Sequence, residues 1–434
     1  MILKLIMYIL LFTICLQPLA FGQTKDIYIK AGRLYHSEKK VLLKNKVIHV
    51  NGNRIVSIGD PDIIPKDAEV IDLSKYTVLP GLIDAHTHVL FSQEATDDFA
   101  AHSIKTLVME SDASRVLHGA KRAKSYLDVG ITSIKDLGNS GTFLDVDLKN
   151  AINDATIPGP RIFASGPILS ATGGQIYGVP PNYQYIIDKE YRIIKSIDDA
   201  RNAVREHVNQ NVDIIKICAD NIPNRTFLSV DEISAIVQTA HSYNLTVTAH
   251  TVTNQSAWNA IIAGVDGIEH GFNIADTTLT LMAQRNIFLV PTGNSRAYME
   301  RYAKLSGLGE DDLGWIDFYI ENMENRLNSA ITHGVPIVAG SDNYTKIGVT
   351  RGESSRDMFR FYFEAGMKPL DILHSATYLS ALYLNKEKEI GSLIAGAKAD
   401  IIAVEGDIEN DFLNTLEHLV LIMKDGEVYF QKTE

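Results

Sequence analysis

The chain changes its hydrophobic rhythm twice. From Asp26 to about Pro80, apolar and polar residues alternate in short runs (DIYIKAGRLY, KVIHVNGNRIVSIG, AEVIDLSKYTVLPG) split by Gly, Asn and Asp. A period of two broken by turn residues predicts β-strands. The same style returns near the end, in KADIIAVEGD and HLVLIMKDGEVYF. Between about Leu82 and Asn385, apolar strand-like runs alternate with helical patterns. TVLPGLIDAHTH, VGITSIKDLG, PRIFASG, DIIKICAD, LTVTAH, GVDGIEHG, NIFLVPTG and VPIVAGSD read as strands. KTLVMESDASRVLHGAKRAKSYLDV, VDEISAIVQTAHSYN and NRLNSAITHG read as helices.

Repeated strand-then-helix units imply an α/β protein with a parallel sheet. Eight such strands suffice for a (β/α)8 TIM barrel. The flanking β segments would pair as a small β-sandwich built from both chain ends. The expected division is 1–22 as a signal peptide, 23–80 and 388–434 as the two parts of the sandwich, and 81–387 as the barrel.

The first segment, MILKLIMYILLFTICLQPLAFG, carries Lys4 as its only charge and an apolar run of about a dozen residues. That run is shorter than the roughly 20 helical residues needed to span a bilayer. Pro18 breaks it, and Ala20 and Gly22 offer small residues where a signal peptidase reads. A secreted or periplasmic protein is expected, with no membrane span after cleavage. Removing the segment removes Cys15 and leaves Cys218 alone, so the mature chain forms no internal disulfide.

Composition excludes one class of partner. Lys+Arg is 41 against 53 Asp+Glu, a net charge of -12. Nucleic-acid binders need the opposite sign. The expected partner is a small-molecule substrate, with a homo-oligomer as a further expectation.

Chemistry gathers at the strand ends. His86 and His88 flank Thr87 at the end of the first barrel strand, and residues i and i+2 of a strand share a face. Lys216 lies late in a strand that should be buried, where an ammonium is costly unless paired or chemically altered. His250, His270 and Asp342 end three more strands. Singly, each reads as a hydrogen-bonded polar residue at a strand end. In a barrel, all five strand ends converge on the face where active sites are built, bringing the six residues together.

PGLIDAHTH, GITSIKDLG, PGPRIFASG, IEHG, GSD and the tail EAGMKPLDILHSAT…IGSLIAGAKADIIAV, in this order, resemble the amidohydrolase superfamily. The nearest likeness is the binuclear lysine-carbamate branch with Xaa-Pro dipeptidase-like and imidazolonepropionase-like members. The resemblance implies two divalent metal ions, with zinc suited to the donor set. His86, His88 and Asp342 would hold the first ion and His250 and His270 the second. Lys216, carbamylated by CO2, would bridge them. It further implies a metal-bridged hydroxide attacking a carbonyl, with Asp342 as general base and then general acid. The sequence departs from the branch at Gln175, where relatives carry His after Gly-Gly, and at Ala219-Asp220-Asn221, where they carry Ser-Gly-Gly.

The leading expectation is therefore hydrolysis of an amide-type C–N bond, in an Xaa-Pro dipeptide or an N-acyl amino acid. Cyclic amides, lactones and phosphotriesters suit the same metal pair, and an inactive binding protein would be the non-enzymatic alternative. Tyr177, Arg225, Tyr344 and Arg351 sit in predicted loops and are candidates for gripping a substrate carboxylate. Asp136 reads equally as a pocket residue or a structural acceptor. Cys218 reads as core, His118 and His241 as surface or packing residues, and His333 as a helix-end residue. The exported chain is expected to begin at Gln23; N-terminal sequencing of the exported protein checks this, and a start at Met1 rejects it.

Overall fold

The computed structural model describes residues 26–309 and 313–433; the expected signal peptide lies outside them. Strands Asp26–His36, Val41–Asn51, Arg54–Gly59 and Glu69–Pro80 join Ile401–Val404, Leu419–Lys424 and Glu427–Gln431 in one seven-stranded sheet. Glu69–Pro80 makes the join, parallel to Asp26–His36 and antiparallel to Ile401–Val404.

The middle of this sheet is buried on both faces, and the alternation shows how. Ile29, Ile48, Val78, Ile401 and Leu421 enter a core of the sheet's own. Their neighbours Leu79, Ile402 and Ile422 point the other way into the main core. The expected sandwich is instead a single curled sheet. Bulges at Ala31/Arg33, His49/Val50, Ala403/Val404 and Ile422/Met423 bend its strands. The Arg54–Gly59 edge then turns back onto the segment before Ile401, with Ile55 N donating to Ala397 O at 2.9 Å.

The central region holds two parallel sheets. Leu82–Thr87, Ile131–Asp136 and Arg161–Ala164 form one; Ile214–Cys218, Thr246–Thr251, Gly267–His270 and Phe288–Val290 belong to a six-stranded second. That second sheet also contains Ile168–Ser170 and Tyr191–Ile193, which the sequence pattern did not announce. Backbone hydrogen bonds bridge the two sheets on one side through Asp213 N to Ala164 O at 2.8 Å. On the other side lies VPIVAGSD, expected as a full strand. It forms only an isolated bridge at Ile337, yet it links both neighbours. Val338 N donates to Leu289 O at 2.9 Å and Ala85 N to Ala339 O at 2.8 Å. The left-handed backbone of Asp342 (φ 52) helps explain why no ladder continues there.

Helices cover these strands, and their starts follow side-chain caps. Ser229 and Glu232 form a capping box at Val230–Ser242. The long helix expected over Lys105–Val129 is two, Phe99–Met109 and Asp112–Leu127. Ser111 caps the second by accepting from Ser114 N, so the chain restarts there. No described helix is long and apolar enough to cross a membrane.

Ile402 is fully buried where the terminal sheet meets the main core. Ile402→Ala should cost about 2–5 kcal/mol in urea unfolding; a loss under about 1 kcal/mol would show that this junction is loosely packed.

Candidate active site

His86, His88, Lys216, His250, His270 and Asp342, from five separate segments, line one cavity of about 330 Å³. They meet there because the strands run in parallel and present the same ends. His86 ends up 5.3 Å from His88 and 4.9 Å from His270 between ring centroids, and His250 lies 4.7 Å from His270. Asp342 faces three of these rings. Its Oδ1 is 3.3 Å from His88 Nε2 and 3.6 Å from His86 Nε2, and its Oδ2 is 3.7 Å from His270 Nδ1. Donor atoms of His86, His88 and Asp342 all fall within 4.8 Å of one another.

A second layer fixes the rings. His86 Nδ1 bonds Glu269 Oε2 at 2.6 Å, and His88 Nδ1 bonds Gly138 O at 2.8 Å. Each therefore turns Nε2 toward Asp342, the arrangement that holds metal-binding imidazoles in one tautomer. His270 Nδ1 meets Thr292 Oγ1 at 2.8 Å, and Gln175 Nε2 lies 3.1 Å from His250 Nε2. Asp84 accepts from His86 N, Ser341 N and Ser341 Oγ, so it clamps the first strand to the segment that carries Asp342.

Glu269 is the centre of this layer. It is fully buried and accepts from Lys135 Nζ at 2.8 Å and Thr248 Oγ1 at 2.5 Å as well as from His86. Lys135 also lies over the Tyr383 ring, 4.0 Å from its centroid. Burial pushes the Glu269 carboxyl up, but Lys135 and His86 more than offset it and hold it well below the usual range.

The electrostatics suit cation binding. Burial and the neighbouring Lys216 drive His86 down to about 4 and His250 to about 3. Burial and its histidine neighbours put His270 well below the ordinary imidazole value. Burial raises Asp342, yet His86 and His88 reverse this, so the carboxylate stays ionised. His88 goes the other way: burial lowers it, but Asp342 beside it more than offsets this and raises it. Three of the four imidazoles are thus held neutral beside a carboxylate, the protonation states that a divalent ion needs.

Lys216 completes the test of fit. Its Nζ is buried and has no hydrogen-bond partner among the described residues. Burial lowers its pKa, favouring the neutral amine. A neutral amine can add CO2 to become an oxygen-donor carbamate, so the residues present fit the binuclear set implied by the sequence.

The other candidates separate. Tyr177 and Tyr344 line the cavity; Arg225 is exposed and does not. Arg351 is buried and donates to the carbonyls of His88, Phe91 and Tyr344, which braces the loop behind His88. Asp136 accepts from Val89 N at 2.7 Å and Ser140 Oγ at 2.8 Å, a structural role. Cys218 is buried in an apolar cluster. Sequence reading passed over Glu269, Lys135 and Asp84. A signal was present: each is a charged residue inside an apolar strand.

The profile of the amidohydrolase family matches residues 77–430. Ochratoxinase of Aspergillus niger is 27% identical over 419 residues, covering 90% of this chain and 84% of that protein. Among solved structures, an amidohydrolase superposes with a TM-score of 0.81 at 28% identity, over 94% of this chain and 100% of that one. A Xaa-Pro dipeptidase with bound methionine in its active site gives 0.79 at 26%, with the same coverage. The chain belongs to the amidohydrolase family. It is a hydrolase acting on carbon–nitrogen bonds.

Glu269→Gln leaves Lys135 as an unbalanced buried cation and should cost about 3–5 kcal/mol. Adding Lys135→Met should recover part of that loss in urea unfolding; strictly additive losses would show that the two do not act as a pair.

Proposed function

We propose that this protein is an exported, metal-dependent amidohydrolase that cuts an amide-type C–N bond in a small molecule. The supporting observation is the buried Lys216 amine, without a hydrogen-bond partner among the described residues, in a cavity it shares with four histidines and Asp342. Export rests on the pattern of Met1–Gly22 alone. The (β/α)8 reading of residues 81–387, flanked by 23–80 and 388–434, is supported by the backbone hydrogen bonds that bridge the two parallel sheets.

In this reading His86, His88 and Asp342 would hold one ion, and His250 and His270 a second. Lys216 would supply oxygen donors as a carbamate, formed when the amine nitrogen bonds to CO2 and loses a proton. Four imidazole and several oxygen donors suit zinc. Bound divalent ions supply Lewis acidity toward the carbonyl and make water acidic enough to attack near neutral pH.

The chain's own groups do the rest. Glu269 and the Gly138 carbonyl fix the tautomers of His86 and His88. Asp342, ionised and central, takes the proton of the attacking water and returns it to the leaving nitrogen. Asn139 and Gln175 offer amide groups to the substrate from the cavity wall. An amide bond is the element common to the Xaa-Pro dipeptides and N-acyl amino acids expected from the sequence. The names of the relatives, ochratoxinase and Xaa-Pro dipeptidase, support this class.

The test is amine release from a panel of dipeptides and N-acyl compounds by zinc-loaded protein starting at Gln23. Lys216→Ala should lose activity by at least the ~10–100-fold that disturbing a metal's supporting shell costs. Bound metal should fall below two equivalents, and added short carboxylates should restore part of the activity. Full activity in that variant rejects the binuclear reading.

A further inference from the structure

The cavity wall away from the metal-side residues is aromatic, apolar and uncharged. Phe272 stacks on His270 with centroids 5.2 Å apart and planes 8° from parallel. Tyr344 meets the His88 ring edge-on at 6.0 Å, and Phe99 lies 6.3 Å from Tyr344. Ile168, Ile222 and Pro223 add apolar surface, and the polar remainder is Asn139, Gln175 and Tyr177. Among the described lining residues there is no arginine, and Lys216 is the one lysine.

Two arginines near the cavity stay out of its lining. Arg351 is used on three backbone carbonyls. Arg326 sits behind the Phe272 ring, 5.1 Å from its centroid, and donates from Nη2 to Pro291 O, while its buried Nε and Nη1 have no hydrogen-bond partner among the described residues. The charge next to the wall is negative: Tyr177, at the partly exposed rim, donates to Asp98 Oδ2 at 2.5 Å.

We propose that this pocket selects substrates that are uncharged on both sides of the scissile bond and carry an aromatic group. Aryl or arylalkyl amides and carbamates fit this description. Within the amide class proposed above, the dipeptides and N-acyl amino acids with a free carboxylate expected from the sequence are then the poorer substrates. The assignment rests on the amidohydrolase reading of the same cavity. A carboxylate against this wall loses hydration and gains no cation in return. Asp98 and the net charge of -12 oppose its approach as well. An aromatic ring, by contrast, finds the offset and edge-on partners that rings prefer.

N-acetylphenylalaninamide and N-acetylphenylalanine test this, because they share the ring and the acetyl amide and differ only in charge. Calorimetry on metal-stripped wild-type protein reads the wall without chemistry. The amide should bind about tenfold or more tighter than the acid, and about tenfold tighter than N-acetylalaninamide. Zinc-loaded protein should release acetate from the amide with a kcat/KM larger by a similar factor. Ile222 lines the cavity and is 47% exposed, so Ile222→Arg can supply the missing cation. That variant should bring the acid to within about threefold of the amide, a gain that misfolding does not produce.

Equal or tighter binding of the acid by wild type overturns the proposal and points to Arg326 as a reachable cation. Binding of neither phenylalanine compound also overturns it. Tighter binding of the amide with no acetate release from either compound supports the wall assignment and overturns the amidase reading instead.

Discussion

A carboxylate with no exposure to water sits where four strands meet, and the site is organised around it. Glu269 links its own strand to Lys135 on Ile131–Asp136, Thr248 on Thr246–Thr251 and His86 on Leu82–Thr87. Such a group survives burial only if its oxygens are fully satisfied. Its partners are therefore held in register, and with them the ring of His86. Tyr383 closes the arrangement, donating to Thr248 Oγ1 at 2.5 Å. It can come so close because residue 267 is glycine: a Cβ there would lie 2.1 Å from the Tyr383 hydroxyl.

The cavity itself is built under backbone strain. His270, Thr292 and Asp342 have φ of 64°, 50° and 52°, in the left-handed region that non-glycine residues rarely enter. Thr292 is the residue that hydrogen-bonds His270, and Asp342 faces three of the histidines. Asp84 and Arg351 fix the segments behind them through backbone groups. The donor atoms are thus placed by the surrounding packing, which is the condition for a site that binds and reacts with little rearrangement.

The terminal sheet contributes no residue to that cavity lining. Its contacts anchor the chain ends to the central region. Tyr35 OH donates to Leu370 O at 2.7 Å, and Arg161, the first residue of its strand, reaches Asp400 and Asp425. Those charges lie at the strand's beginning, and the reactive residues lie at strand ends. Stability and chemistry are divided between the two ends of the parallel strands.

The alternation of Ile401 and Ile402, or of Val78 and Leu79, was readable along the chain because a strand has period two whatever surrounds it. The positions of His86, Lys216 and His250 in their strands were readable for the same reason, and family order joined them with Asp342, whose segment forms no ladder, into one set. The curl of the terminal sheet was not readable, because bulges depend on which strands pair. The break at Ser111 carried a local cap signal that the longer helical pattern masked. Glu269 and Lys135 looked like isolated charges, since they stand 134 positions apart and their pairing exists only across the folded sheet. Arg351 looked like a substrate grip until packing set it against three carbonyls. Local periodicity and residue chemistry are properties of a few neighbouring residues, so the sequence by itself determined the strand-and-helix order and the types of side chain at the strand ends. Which buried charges meet, and which side chains face the cavity, depends on contacts between distant segments, and these the tertiary structure alone decided.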